Sequence, residues 1–393
     1  MRRVLYAVIL QAYAVALAVF QLGIGVRTDE AKYLLNIPYP HPPLARALFS
    51  LTEAFPWQEA LWRLVLATAL VQAAWIVADC ARDRPVRDRI ALCVAWLLAP
   101  AMLLQAGTIM LAPLTALGTL LLVWCIARQD RLRAYQGIVG LLWLGNLFVA
   151  YQGILALPLA WRACSGVAPS RLCAGGLVAL PVALLALYSL TNPLALATML
   201  IHGAGGAMPS SQRFLDAGNV LLLTGIPAVV LGTWGILRYG SWSLRAAALL
   251  TAAFILLSAP HAYYAILLLP LGIEGIRQLL SRTSGALLPV GVMALAIVGS
   301  VVALPSLLRR PPPSVAVSTL TMLQERRVQG VVLLVGPFGH EWQYSPLEVR
   351  RFVPELLPRG SAVVCLRPCP VMRSWSEQWK ETATNGAEVW LRR

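Results

Sequence analysis

The stretch MRRVLYAVILQAYAVALAVFQLGIGV, residues 1–26, decides what kind of molecule this is. Two arginines precede an apolar run that begins at Val4, as in a secretory signal, but the run is too long for one and shows no clear small-residue cleavage site. It reads as an uncleaved membrane span, long enough to cross a hydrocarbon layer roughly 30 Å thick as a helix. Similar runs of about 18 to 24 residues recur as far as about Pro305. With 59% hydrophobic and 12% charged residues, the chain carries more apolar surface than one soluble core can bury. The expected fold class is an all-α polytopic membrane protein over residues 1–305, followed by a small soluble α/β domain over 306–393.

The formal net charge of +15 comes almost wholly from arginine. In a soluble protein it would suggest nucleic acid. Here many of the arginines fall in short loops between apolar runs, as topology determinants do, and no basic face is interleaved with aromatics. No nucleic-acid partner is expected, and a minority of the arginines is left to meet anionic membrane lipid. Spans near 4–26, 60–80, 90–106 and 108–127 place Arg82, Arg84, Arg87 and Arg89, and then Arg128, Arg131 and Arg133, on one side, the cytoplasm. The segment from Arg27 to Trp57 then lies outside, in the periplasm if the membrane is a bacterial inner membrane. The run from Gly137 to Trp161 reads either as one span or as two short helices broken between Asn146 and Gly153. Two helices put Arg162 and Arg171, Arg238 and Arg245, and Arg277 and Arg282 inside, and the loop from Asn192 to Asn219 outside; one helix reverses all of these. Positive-inside counting favours two, giving about 11 crossings and a periplasmic C-terminal domain. The remaining spans fall near 174–191, 220–237, 246–260, 263–279 and 284–305.

Beyond them RRPPP, residues 309–313, makes a stiff linker. GVVLLVGPFG (330–339), SPLEVRRFVPELL (345–357), SAVVCLRPC (361–369), the stretch from Met372 to Thr384, and AEVWLRR (387–393) then alternate as strand, helix, strand, helix, strand. GPFG is too short a glycine signature for a nucleotide site and reads as a turn. Five of the seven cysteines lie in or beside spans, as small apolar filler. Cys365 and Cys369 can pair as a disulfide in an oxidising compartment, and a lone pair makes no metal site.

The first outer loop reads RTDEAKYLLNIPYPHPPLARAL, residues 27–48, with Asp29 and Glu30 emerging directly after the first span. A carboxylate at a membrane-water boundary can act on a lipid-borne substrate while its surroundings hold its orientation. The same two residues also suit a solvated helix start, where acids favour the dipole and Thr28 serves as cap. Pro38, Pro40, Pro42 and Pro43 stiffen the chain around Tyr39 and His41. A preorganised loop suits a binding site; prolines that merely connect two interfacial helices are the plainer alternative.

An acidic pair, a tyrosine soon after it, and a His-Pro-Pro-Leu run in the first outer loop resemble the membrane glycosyltransferases of the C-type fold, in the branch of protein O-mannosyltransferases and lipid A aminoarabinose transferases. PHAYYAILLLPLG, residues 260–272, is similar to that family's late R-x-x-Y followed by prolines, with His261 at the basic position and Tyr264 and Pro270 in register. The chain departs from the pattern at Ala112, near which the family commonly has an aspartate, and at Tyr151-Gln152-Gly153, where its T-K-G motif has lost the lysine; it is also shorter than typical members. The resemblance implies transfer of a sugar from a polyprenyl-phosphate donor, with inversion, to an acceptor at the outer leaflet: a glycolipid, a polysaccharide or a protein hydroxyl. It implies Asp29 as the base, with Glu30 as its alternative or partner. Lys32, Tyr33, Tyr39, His41, Arg213, His261 and Tyr264 are the candidates for donor phosphate and substrate. No cofactor is implied, and without a second carboxylate near Ala112 no metal is expected. Plainer readings stand beside these: Lys32 snorkels, Tyr263 and Tyr264 belong to an aromatic belt, and His202 sits in a connecting loop with Arg213. A lipid transporter or flippase, or a non-catalytic scaffold, is the rival class. A transporter predicts charge deep in the spans, where this chain places the uncharged Gln72, Gln105, Asn146 and Gln152.

Overall fold

A computed structural model of the chain describes residues 2–36, 41–192, 210–257, 261–283, 285–308, 315–328, 330–335, 340–343, 347–351, 362–366, 379–384 and 387–392. Among these, six helices are long and apolar enough to cross a bilayer, or seven if one sharply bent pair is counted as a single span. Their outward faces carry large apolar side chains, on the first helix Val4, Leu5, Val8, Ile9 and Val19. A soluble monomer rarely leaves such belts open to water. A helix satisfies its own backbone and so tolerates hydrocarbon, and the architecture is that of a multi-pass helical membrane protein with a small C-terminal sheet.

The chain divides into two compact units, Met1–Val19 with Tyr39–Arg309, and Phe20–Pro38 with Arg310–Arg393. The larger holds two packed cores. One joins Leu17 of the first helix to Leu70, Trp96, Met102, Leu120 and Ile266, and the other gathers Trp143, Leu147, Leu159, Cys164 and Leu185. In these two cores the buried indoles find carbonyls: Trp96 Nε1 donates to Leu70 O at 2.9 Å, and Trp143 Nε1 to Val178 O at 3.3 Å.

The ambiguous run from Gly137 to Trp161 is two helices, Gln136–Val149 and Leu157–Val167, separated by an extended Ala150 and a 3-10 turn over Tyr151–Ala156. Pro158 opens the second helix, where its missing N–H costs nothing. Gly153 has no room for a Cβ against the backbone of Asn146, and its carbonyl accepts from Asn146 Nδ2 at 3.4 Å. The break therefore falls where the sequence allowed it.

The span expected at 220–237 is not straight. Helix Ser210–Thr224 ends at Gly225, with φ +106°, and the chain leaves at 96° as a π turn over Ala228–Gly232 and a helix over Thr233–Tyr239. This elbow lies on the Ala265–Ser281 helix through glycines. A Cβ on Gly232 would stand 2.6 Å from the Gly272 carbonyl oxygen, and one on Gly272 would stand 2.7 Å from Ala228 Cβ; Gly235 and Gly275 meet in the same way one turn along. Small residues let backbones approach closely where hydrophobic force between helices is weak.

In the smaller unit, helix Val315–Glu325, which the sequence reading did not foresee, covers one face of a five-stranded sheet. With β1 Val332–Val335, β2 Val349–Arg351, β3 Ala362–Cys365, β4 Trp379–Thr384 and β5 Ala387–Arg392, the order is β2-β1-β3-β5-β4. β1 runs parallel to β2 and β3, and β5 antiparallel to β3 and β4. Two expectations fail here: Val349–Arg351 is a strand inside the expected helix 345–357, and residues 379–384 are a strand inside the expected helix 372–384. Tertiary pairing overrides local helical propensity in both. Cys365 is disulfide-bonded, whereas Cys369, the RRPPP linker and GPFG lie outside the described residues.

Candidate functional site

The first helix ends in a turn closed by Gly25, at φ +84°, which feeds a short helix over Thr28–Leu34. Arg27, not Thr28, is the N-cap; Thr28 is already the first helical residue. Glu30, three residues past the cap, reaches back so that its Oε2 accepts the Arg27 backbone N–H at 2.9 Å. This is the acidic half of a capping box. The acidic pair is thereby divided in two. Glu30 is 1% exposed and tied to the start of its own helix. Asp29 keeps 37% of its side chain exposed, and its Oδ1 accepts from Lys32 Nζ at 2.7 Å, one turn on. Tyr33 is buried, and the helix packs on the His340–Trp342 turn of the same unit. Four of the expected site residues thus share one helix of seven residues.

The other candidates belong to the larger unit. Tyr39 lies outside the described residues. His41 is partly buried with its ring 6.2 Å from that of Tyr151, and its carbonyl accepts from the Tyr188 hydroxyl at 3.3 Å. Pro43, Leu44 and Ala47 line an apolar groove of about 790 Å³ together with helices Gln136–Val149 and Arg171–Thr191. Leu141, Leu144 and Leu184 also line a second groove of about 520 Å³, which carries the trough on toward Gly137 and Cys173. The His-Pro-Pro-Leu run therefore forms part of the wall of an apolar trough, and Tyr188 both lines that trough and holds the His41 backbone.

His261 and Tyr264 come together at the start of the Ala265–Ser281 helix. His261 stacks on Tyr263 at 5.1 Å, and Tyr264 packs edge-on against Phe254 at 5.0 Å and Tyr263 at 4.5 Å. Thr224, at the elbow, donates to Ala265 O at 3.0 Å and ties the two helices together at this level. Arg213 corrects an expectation: it lies in helix Ser210–Thr224, not in a connecting loop, while His202 lies outside the described residues. Gln152 lines a small cavity of about 10 Å³ with Thr115, Thr119 and Thr251, room for about one water.

One polar cluster was missed. Arg63, in the second turn of helix Gln58–Gln72, is 1% exposed; its Nε donates to Glu59 Oε1 at 2.9 Å and its Nη1 to Gly107 O at 3.1 Å. The Thr108 hydroxyl in the same 106–110 loop donates to Gln105 O at 2.8 Å. The cluster holds that loop just before Ala112. A charge inside a candidate span was the available signal. Among the described residues no group of three or more His, Cys, Asp and Glu side chains converges as a metal site does. No family model, no curated protein and no solved structure matches this chain.

Proposed function

We propose that this protein is a membrane glycosyltransferase that moves a sugar from a polyprenyl-phosphate donor to a hydroxyl acceptor at the outer face of a bacterial inner membrane, in a fold of about 11 crossings with the N-terminus inside. The observation that carries the reading is the 27–48 segment. Its acidic start, in the smaller unit, offers one accessible carboxylate, Asp29, next in sequence to one that caps the helix; its His-Pro-Pro-Leu end, in the larger unit, lines an apolar trough suited to a lipid chain. Asp29 accepts the proton of the acceptor hydroxyl; that oxygen forms its bond to the anomeric carbon from the face opposite the phosphate; the anomeric C–O bond breaks, and polyprenyl phosphate leaves with the electron pair. Charge developing on the phosphate needs donors, and Lys32, Tyr33, Tyr39, His41, Arg213, His261 and Tyr264 are the groups assigned to donor and substrate. The acceptor is a glycolipid, a polysaccharide or a protein hydroxyl.

The test is transfer by the purified protein from a polyprenyl-phosphate sugar to an outer-leaflet acceptor, with Asp29→Ala and Glu30→Ala compared. Loss of the glycosidic product in Asp29→Ala supports the reading, and unchanged transfer in both variants overturns it. A lipid transporter or flippase is the second reading, favoured by the 96° elbow at Gly225. It predicts movement of the lipid with no new glycosidic bond in the same assay.

A further inference from the structure

At the end of the elbow two arginines meet at one tyrosine ring and a third is bonded to the helix turn before it, none with an acidic partner among the described residues. Arg238 and Arg282 lie 6.0 and 5.9 Å from the centroid of one ring, Tyr239, so two like charges flank a single aromatic. Arg245, in the first turn of helix Trp242–Leu257, donates its Nε to Ile236 O at 3.2 Å. That bond is helix-end capping and engages one nitrogen of the guanidinium. Among the described residues none of the three arginines has a carboxylate within ion-pair distance, whereas neighbouring Arg277 is held by Glu274 at 2.6 Å. Like charges gathered with no counter-ion repel one another, and the repulsion falls when an anion joins them.

The same Arg245 lines a second feature. A cavity of about 240 Å³ runs from it past Ala248 and Leu249 to Ala252, two turns of helix or roughly 10 Å at 1.5 Å per residue. Its walls are otherwise nearly all apolar, and Leu237 and Leu249 are both exposed and lining, so it opens sideways toward lipid. Exposed Trp242 and Tyr239 mark the level as that of head groups, where amphipathic aromatics settle. A cationic rim above an apolar slot has the chemistry of a phospholipid turned into a pocket: anionic head on the arginines, one acyl chain in the slot.

We infer that Arg238, Arg245 and Arg282 with the slot behind Arg245 form a binding site for an anionic phospholipid of the leaflet that faces them. This holds whether or not the protein transfers sugars. The test uses the delipidated full chain in a non-ionic detergent, with palmitoyl-oleoyl phosphatidylglycerol or the matching phosphatidylcholine added at equal concentration, and counts retained lipid by native mass spectrometry. Wild type is expected to retain one phosphatidylglycerol at least about tenfold better than phosphatidylcholine, from about fivefold per arginine at a surface. Arg238→Gln with Arg282→Gln abolishes that preference, whereas Arg238→Lys with Arg282→Lys keeps most of it. Ala248→Phe, which fills the slot, lowers retention with all three arginines present, and inorganic phosphate does not compete. Equal retention of the two lipids by wild type overturns the site. So does the same loss in a control double variant at two other arginines, Arg131→Gln with Arg133→Gln, which would reduce the effect to net charge, and so does full competition by phosphate, which would make the slot irrelevant.

Discussion

At the scale of single residues, Asp29 and Glu30 look equivalent in the sequence and differ in the fold. Glu30 spends its carboxylate on the backbone of Arg27, so Glu30→Ala is expected to loosen the Thr28–Leu34 helix by about 1 kcal/mol, with a modest fall in transfer. Asp29 is the exposed member, and its removal is expected to lower the transfer rate about 10²- to 10⁴-fold without a change in melting temperature. Measuring both variants for rate and thermal stability separates cap from base; equal effects on rate would remove the distinction. Arg63 makes a second case. Glu59→Ala withdraws one charged acceptor from a buried guanidinium and is expected to cost about 1.5–3 kcal/mol, read as a lower melting temperature in detergent, with Glu59→Gln recovering part of it. The arginine itself was visible as a charge among apolar residues, but its partner carbonyl, Gly107, lies 44 residues away, and no local pattern announces it.

Elements show why some boundaries were legible and others were not. The break in the 137–161 run was readable because Gly153 and Pro158 write it locally, as a close approach and a helix start. The elbow at Gly225 was not, since Leu221 to Leu237 remains one apolar run to a hydropathy reading and the turn needs a glycine in a left-handed conformation. Gly232 and Gly272 matter only once the two helices are seen to touch. Gly272→Leu is expected to push them apart and cost about 1–3 kcal/mol or more by overpacking, checked by thermal unfolding against Gly285→Leu, whose added Cβ meets open space. Equal losses in the two variants would mean that the glycine contact is not what seats the elbow. The β4–β5 pair has its own local signal, Asn385-Gly386 between the two strands, a dipeptide that favours hairpin turns.

For the whole molecule, arginine distribution and helix count bear on orientation. A reporter fused after Arg393 is expected to read periplasmic, the outcome that follows from two crossings in the 137–161 run and 11 in all. A cytoplasmic reading would reverse every loop after Trp161 and move Arg238, Arg245 and Arg282 to the outer leaflet, where the lipid site proposed for them would have to draw on that leaflet. The division into two units also bears on function. The Thr28–Leu34 helix, with Asp29, groups with residues 310–393, whereas His41, His261 and Tyr264 group with the helices.

The sequence by itself determined the membrane class, because apolar runs of spanning length have no other favourable environment, and it determined the loop that carries the acidic pair and the His-Pro-Pro-Leu run. Tertiary structure decided the rest. It assigned Glu30 to a cap and left Asp29 accessible, bent the chain by 96° at Gly225, buried Arg63 against a distant carbonyl, and brought Arg282 beside Arg238 at one tyrosine ring. Hydropathy is a property of each segment alone and survives without the fold, whereas a hydrogen bond or a shared charge cluster exists only when residues far apart in the chain become neighbours.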